Sequence, residues 1–206
     1  MAKTVAKTAR GQATQAALVR GARKVFEREG FLDARIVDIT KAAGTALGSF
    51  YTYFESKEEI FDAVWDELGE EGLNVVSLAF LAEPDGHKRK SIAAHHRAYL
   101  EGYLRNAKLL SVVEEVTNIN DRFRRRRTRR AQPVLKASRE AIAELQQRGI
   151  VDRTLDPLAT VRALSSMVSR TAYITFVLEE EKSGAIEGLV DTLTLLWVNA
   201  LKIKRQ

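Results

Sequence analysis

The sequence has 206 residues, 45% hydrophobic and 29% charged, so it can bury a real core and lies near the ceiling for one domain. With no Cys and only three histidines (His87, His95 and His96), it excludes disulfides, thiolate nucleophiles and Cys-based zinc sites, and neither a metal nor a cofactor is expected. The net charge of +6 is concentrated in residues 1–55, with nine Lys or Arg against five Asp or Glu, and in Arg122 to Arg130 (RFRRRRTRR), with seven Arg and no acid, so an acidic body with two basic regions is set up to meet a polyanion.

Three prolines interrupt the whole chain, and apolar residues recur almost everywhere at helical spacing, which predicts an all-α fold of about nine helices. Leu18, Ala22, Val25 and Phe26 form one stripe of a first helix over 14–29. Gly30 supplies its left-handed stop, and Phe31 is positioned to fold back on Phe26. A second helix carries Ile36, Ile39 and Ala43 and stops at Gly44. A third, opening at Thr45 and running to Tyr53, has Phe50, Tyr51 and Phe54 on its apolar side. Ser56 and Glu59 then read as a capping box that starts a long fourth helix with Ile60, Phe61, Val64, Trp65 and Leu68, continuing past two weakening glycines to Leu81.

After the Pro84-Asp85-Gly86 turn, helices are predicted over 87–107, 109–116 and 120–147, the last with Pro133 inside it as a kink and Gly149 as its stop. Asp156 followed by Pro157 marks the start of an eighth helix, extending to Glu179 through a segment, 171–177, of strand-like composition. The ninth, over 185–202, is apolar nearly all round after Leu193, so it must be covered on two sides. A second copy of the chain is the economical partner.

No uncharged run approaches the roughly 20 residues of a membrane span and no apolar signal core opens the chain, which makes a cytoplasmic protein without membrane contact the expectation. The acid-poor stretch before Glu27 also fits a transit peptide, but the first helix needs those residues. No Gly-rich phosphate loop, nucleophile elbow or His-carboxylate set is present at a recognisable spacing, so no enzyme is expected.

Helices two and three, joined through Ala43-Gly44-Thr45, have the layout of a helix-turn-helix, whose second helix enters the major groove with its early residues facing base edges. Those residues are Ala46, Leu47, Gly48 and Ser49, small enough for close approach, with Thr45 and Tyr51 beside them. Thr52 and Tyr53 offer hydroxyls to phosphates, and Lys57 adds a charge at a helix N-terminus. Leu47 either meets a thymine methyl or packs beneath its helix.

The stretch Ala22-Arg23-Lys24-Val25-Phe26, Gly30-Phe31, Asp38 to Gly44 (DITKAAG) and Gly48 to Glu58 (GSFYTYFESKE) closely resembles the N-terminal domain of the tetracycline-repressor (TetR) family of bacterial regulators, over about residues 14–65. The resemblance implies an all-helical homodimer on a double-stranded DNA operator, with a helix-turn-helix DNA-binding domain over 1–56 and a larger ligand-binding and dimerisation domain over 57–206. It further implies that the last two helices form a four-helix dimer interface, and that a small molecule releases the operator. Where the family usually places Thr or Ser before the second helix this chain has Ala34 and Arg35, so Arg35 is expected to take over the phosphate contact and Asp33 the N-cap.

Within that frame the dimer interface is expected at Ile186, Leu189, Leu193, Leu196, Trp197 and Ala200. Ile92, His96, Tyr99 and Tyr103 share a face of the fifth helix and read either as core or as a pocket wall. In the second case Trp65, Met167 and Tyr173 join them around an apolar or aromatic effector, with Arg170 or Arg139 to pair with an anionic group if it carries one. The arginine run is either a solvated helix face or an added attraction for phosphate. The competing classes are a ligand-responsive DNA-binding regulator, a non-specific basic DNA-binding protein, and a helical lipid or ligand carrier without DNA binding.

Overall fold

The computed structural model describes residues 8–70, 73, 76–83, 88–181 and 183–203. Among them are nine α-helices and no strand: α1 Ala9–Asp33, α2 Ile36–Ala43, α3 Leu47–Tyr53, α4 Lys57–Glu70, α5 Lys88–Arg105, α6 Ala107–Ile119, α7 Asp121–Gln147, α8 Pro157–Tyr173 and α9 Ile186–Leu201. They fall into two compact units, one holding α1 to α4 with α6 from Lys108 onward, the other holding α5 and α7 to α9. The first unit therefore runs past residue 56, because α4 packs on α1: the Phe61 ring stands edge-on to Phe26 and Phe31, at 5.0 Å from each.

Local chemistry sets most helix ends. Thr8 caps α1, its hydroxyl accepting from the Gly11 N–H, and the helix runs on to Asp33 across Gly30, whose φ of 74° breaks the helical backbone inside it. Phe31 then stacks on Phe26 at 5.8 Å, the fold-back expected after that glycine. Gly44, at φ 65°, closes α2, with its own N–H and that of Thr45 returning to the carbonyls of Lys41 and Thr40. Ser56 Oγ accepts from the Glu59 N–H while the Glu59 carboxylate accepts from Glu55 N–H, so the capping box reaches back one residue further than Ser56. Asp156 Oδ1 accepts from Ala159 N–H and Pro157 fills the first turn of α8.

Two expected helices end early. The fourth is helical over Lys57–Glu70 and has ended by Leu73, short of Leu81. Val76 to Leu78 are irregular, held instead by the Ser165 hydroxyl donating to the Val76 carbonyl and the Ser138 hydroxyl accepting from Leu78 N–H, before one 3-10 turn over Ala79–Ala82. The eighth stops at Tyr173 and widens into a π turn over Ile174–Leu178, the segment of strand-like composition. The seventh, by contrast, runs unbroken through Pro133.

Candidate nucleic-acid interface and buried aromatic cluster

The geometry of α2 and α3 follows from where their aromatic residues go. Phe50 and Phe54 are fully buried, 5.8 Å apart, and Ile39 of α2 is buried as well. Anchoring α3 through Phe50 turns Ala46, Leu47, Gly48, Tyr51 and Thr52 outward, all exposed, with Ser49 and Tyr53 half-buried at the edge. Leu47 is 45% and Tyr51 50% exposed, so Leu47 does not pack beneath its helix. An exposed leucine and tyrosine beside an exposed glycine form a small apolar surface open to a partner.

The supporting positions are more constrained than the sequence suggests. Thr45 lies outside α3, whose N-cap is Ala46, and its hydroxyl is buried without a hydrogen-bond partner among the described residues. Arg35 is itself the N-cap residue of α2 and makes no side-chain cap bond. Asp33, expected as that cap, ends α1 instead, because the chain needs Ala34 and Arg35 in extended conformation to turn between the helices. The Arg35 guanidinium remains mostly exposed while its Nε donates to Asp38 at 2.7 Å, a bond that raises its already high pKa. Lys57 Nζ donates to the Leu32 carbonyl at 2.9 Å and stands 4.8 Å from the Phe31 ring centre, which ties the start of α4 to the end of α1. The Thr52 hydroxyl donates back to the Gly48 carbonyl.

In the second unit, Ile92, His96, Tyr99 and Tyr103 of α5 are all buried, as one face. Tyr99 and Tyr103 lie 5.9 Å apart, and Tyr103 meets Phe176 of the π turn at 6.4 Å. Burial pushes the Tyr99 hydroxyl well above its ordinary range, the nearby Tyr103 adding to this, so it stays a neutral hydrogen-bonding group. His96 is turned toward α9: its Nδ1 is 3.2 Å from the Thr194 hydroxyl, its ring stands edge-on to Trp197 at 4.5 Å, and its Nε2 has no partner among the described residues. Burial first, then His95, brings its pKa down to about 4.

The other expected members of this group differ in burial. Arg170 is exposed and lies over the half-buried Tyr173 ring at 4.8 Å, and Arg139 is exposed on α7, so neither guanidinium reaches into the buried aromatics. Met167 is half-buried on α8, and Trp65 belongs to the first unit, where it packs at 6.3 Å from Phe61. The residues missed were Phe176 and Thr194. Each lies on a face that composition alone does not separate from its apolar neighbours.

The six residues expected at a dimer interface divide. Ile186, Leu193 and Trp197 are buried in the chain's own core, where α9 packs on α5 and Arg97 grips Glu187 through a two-pronged ion pair. Leu189 is half-buried and Leu196 and Ala200 are exposed, together with Gly188, Thr192 and Leu195. A helix that reads as apolar nearly all round after Leu193 has thus split into an inner and an outer half. By length and composition alone Ser183–Leu201 would also suffice to cross a membrane, but 39% of that stretch is buried inside the fold, including its tryptophan.

Comparison with known proteins gives a consistent picture. Residues 18–64 match the family described as bacterial regulatory proteins, tetR family, and residues 89–182 match the tetracyclin repressor-like C-terminal domain. The chain is 24% identical over 194 residues to the HTH-type transcriptional regulator EthR of Mycolicibacterium smegmatis, covering 93% of this chain and 87% of EthR. It is 42% identical over 52 residues to the regulator YdgC of Bacillus subtilis, 25% of this chain and 27% of that one. Its fold is similar to that of the fatty acid degradation regulator FadR from Bacillus halodurans, with a TM-score of 0.74 at 18% identity, covering 93% of this chain and 97% of that one. It is also similar to SmeT, the repressor of the Stenotrophomonas maltophilia multidrug efflux pump SmeDEF, with a TM-score of 0.71 at 17% identity, covering 94% and 92%.

Proposed function

The chain belongs to the TetR family of DNA-binding transcriptional regulators, and from that premise we propose that it is a repressor, binding as a homodimer to a palindromic operator and released by a small apolar or aromatic molecule. The observation that supports the reading is the outward face of α3, where Leu47 and Tyr51 stand half-exposed around Gly48, Tyr51 resting edge-on against the buried Phe50 ring at 5.3 Å. Such a face suits the major groove: Ala46, Leu47, Gly48 and Ser49 facing base edges, Leu47 against a thymine methyl, and Thr52, Tyr53 and Lys57 on phosphates. Arg35 reaches a phosphate with the part of its guanidinium that Asp38 leaves open, and Thr45 and Tyr51 flank the contact.

Residues 1–56 are then the DNA-binding domain and 57–206 the ligand-binding and dimerisation domain. Dimerisation uses the outward half of α9, Leu189, Leu196 and Ala200, because Ile186, Leu193 and Trp197 are already spent inside each subunit. A two-fold dimer presents two copies of α3 to half-sites related by the same symmetry, hence the palindrome. The effector is placed against Tyr99, Tyr103 and Phe176, with His96 beside them and Met167 and Tyr173 on α8. That lining is apolar with a few hydroxyls and favours an apolar or aromatic molecule. Exposed Arg170 leaves any anionic group of that molecule to be met at the surface rather than inside.

The test is an electrophoretic shift on the duplex upstream of the chain's own gene against a random duplex of equal length. Preference for the former supports the regulator, and Leu47→Ala and Ser49→Ala should change which bases are preferred. Tyr53→Phe and Lys57→Ala should weaken all sequences alike. Equal affinity for both duplexes would leave a non-specific basic DNA-binding protein, and no duplex binding at all a helical ligand carrier.

A further inference from the structure

One face of α7 has no role in that reading. Arg122, Arg125, Arg129, Gln132, Lys136 and Arg139 follow one another at steps of three and four residues, which places them along one side of a helix, and all six are exposed. The opposite side is the packed one, with Phe123, Ser138, Ala141, Ile142 and Leu145 buried. At 1.5 Å per residue the basic stripe is about 25 Å long. No Asp or Glu occurs in the sequence between Arg122 and Arg139, and Arg125, Arg129, Lys136 and Arg139 make no ion pair among the described residues. Asp121, just outside the stripe, is paired with Arg124.

Cations three and four residues apart on a helix repel one another, so a row of this length is unfavourable unless a matching row of anions lies against it. A nucleic-acid backbone is such a row: evenly spaced phosphates that take the guanidinium fork in a two-pronged manner, while Gln132 supplies a neutral amide donor of the kind that also binds phosphate. An acidic membrane fits less well, because surface-binding helices pair their basic residues with exposed apolar ones, and no exposed large hydrophobic residue lies on α7. We infer that this stripe is a second DNA-binding surface, distinct from α3, which holds the sugar-phosphate backbone of duplex DNA without reading its sequence. The inference rests on the chain's being a DNA-binding protein, but not on a palindromic operator or on an effector.

The test uses the full-length protein, with charges removed by Arg125→Gln, Arg129→Gln, Lys136→Gln and Arg139→Gln together. Affinity is measured from 50 to 200 mM salt on two duplexes of about 40 base pairs, one from upstream of its own gene and one of random sequence; each phosphate contact contributes about 0.9 to the slope of log affinity against log salt. Loss of four contacts per subunit should flatten the slope by three to four for each subunit bound, on both duplexes, so that the wild type loses at least roughly a hundredfold more affinity than the variant across that range. Should the fourfold variant fail to fold by circular dichroism, Arg125→Gln with Arg129→Gln should give about half that flattening. An unchanged slope in a folded variant overturns the inference, as does an unchanged slope accompanied by lost binding to phosphatidylserine-containing vesicles, which would assign the stripe to a membrane. If the slope flattens while the two duplexes bind equally, the stripe stands and the operator reading falls.

Discussion

Gly21 of α1 and Ala43 of α2 meet so closely that a Cβ added to Gly21 would lie 2.9 Å from the Ala43 Cβ, and equally close to the Ala43 nitrogen and the Ile39 carbonyl oxygen. Two of those three atoms are backbone, so the contact cannot be relieved by a side-chain rotation. The crossing of α1 over α2, and with it the position of α3, depends on the absence of a side chain at residue 21. Gly21→Ala should destabilise the first unit by about 1–3 kcal/mol, the usual cost of overpacking a filled site. It should also weaken duplex binding although residue 21 touches no DNA. Urea unfolding combined with a shift assay checks this, and a variant of unchanged stability would mean that α1 and α2 can separate freely.

Much of the acid sensitivity should be traceable to the His96 imidazole, with the half-buried His95, whose pKa is also lowered, adding to it. Burial and neighbouring His95 hold His96 down to about 4, against an ordinary value of 6.5. Between those two values the unfolded chain takes up a proton that the folded chain refuses. The stability that His96 contributes as a neutral group is therefore complete above pH 6.5 and is lost as pH falls toward 4, by up to roughly 3 kcal/mol. Replacing it by His96→Phe should flatten the dependence of unfolding free energy on pH between 6.5 and 4, whatever it does to stability at neutral pH. An identical slope in the two proteins would place the acid sensitivity elsewhere.

The two faces of α9 make opposite forecasts for adjacent residues. Trp197 is fully buried, and Trp197→Ala should cost about 3–5 kcal/mol and leave much of the protein unfolded at 37 °C. Leu196 is 45% exposed in the single chain, so Leu196→Asp should leave each subunit folded while preventing association. Circular dichroism and sedimentation separate the outcomes: helical monomers are expected for Leu196→Asp. A dimer as stable as the wild type would move the interface off α9.

What the sequence made legible, and what it did not, follows from the range of the interactions. Gly44, the Ser56 and Glu59 pair, and Asp156 with Pro157 act on backbone within a few residues, so their helix ends could be read directly, and the GSFYTYF segment that orients α3 is equally local. The end of α4 could not be read. The irregular chain at Val76 and Leu78, expected as helix, is bonded to hydroxyls of Ser165 and Ser138, 89 and 60 residues away. The same holds for His96, whose partner Thr194 is 98 residues further on. Whether Leu196 or Trp197 faces inward cannot be decided from a stretch that is apolar nearly all round after Leu193. Packing against α5 decides it.

The buried tyrosines carry the last forecast. Tyr103 stands between Tyr99 and Phe176, with little of its surface exposed, at the junction of α5 and the π turn that follows α8. If a released effector lies against these rings, it must prefer the conformation that does not bind DNA, and operator must then weaken the effector by the same factor by which the effector weakens operator. Tyr103→Trp adds volume at that junction without touching α3, so it should abolish the response to whichever acyl or aromatic compound releases the wild type in a shift assay. Operator affinity in the absence of the compound should stay within a few-fold of the wild type, which separates a filled pocket from a damaged fold. Isothermal titration of the same compound into both proteins adds a second reading: heat of binding lost in Tyr103→Trp and kept in Arg170→Ala, whose guanidinium lies at the surface over Tyr173. A Tyr103→Trp protein that still binds the compound and still lets go of DNA would put the effector on another face of α5.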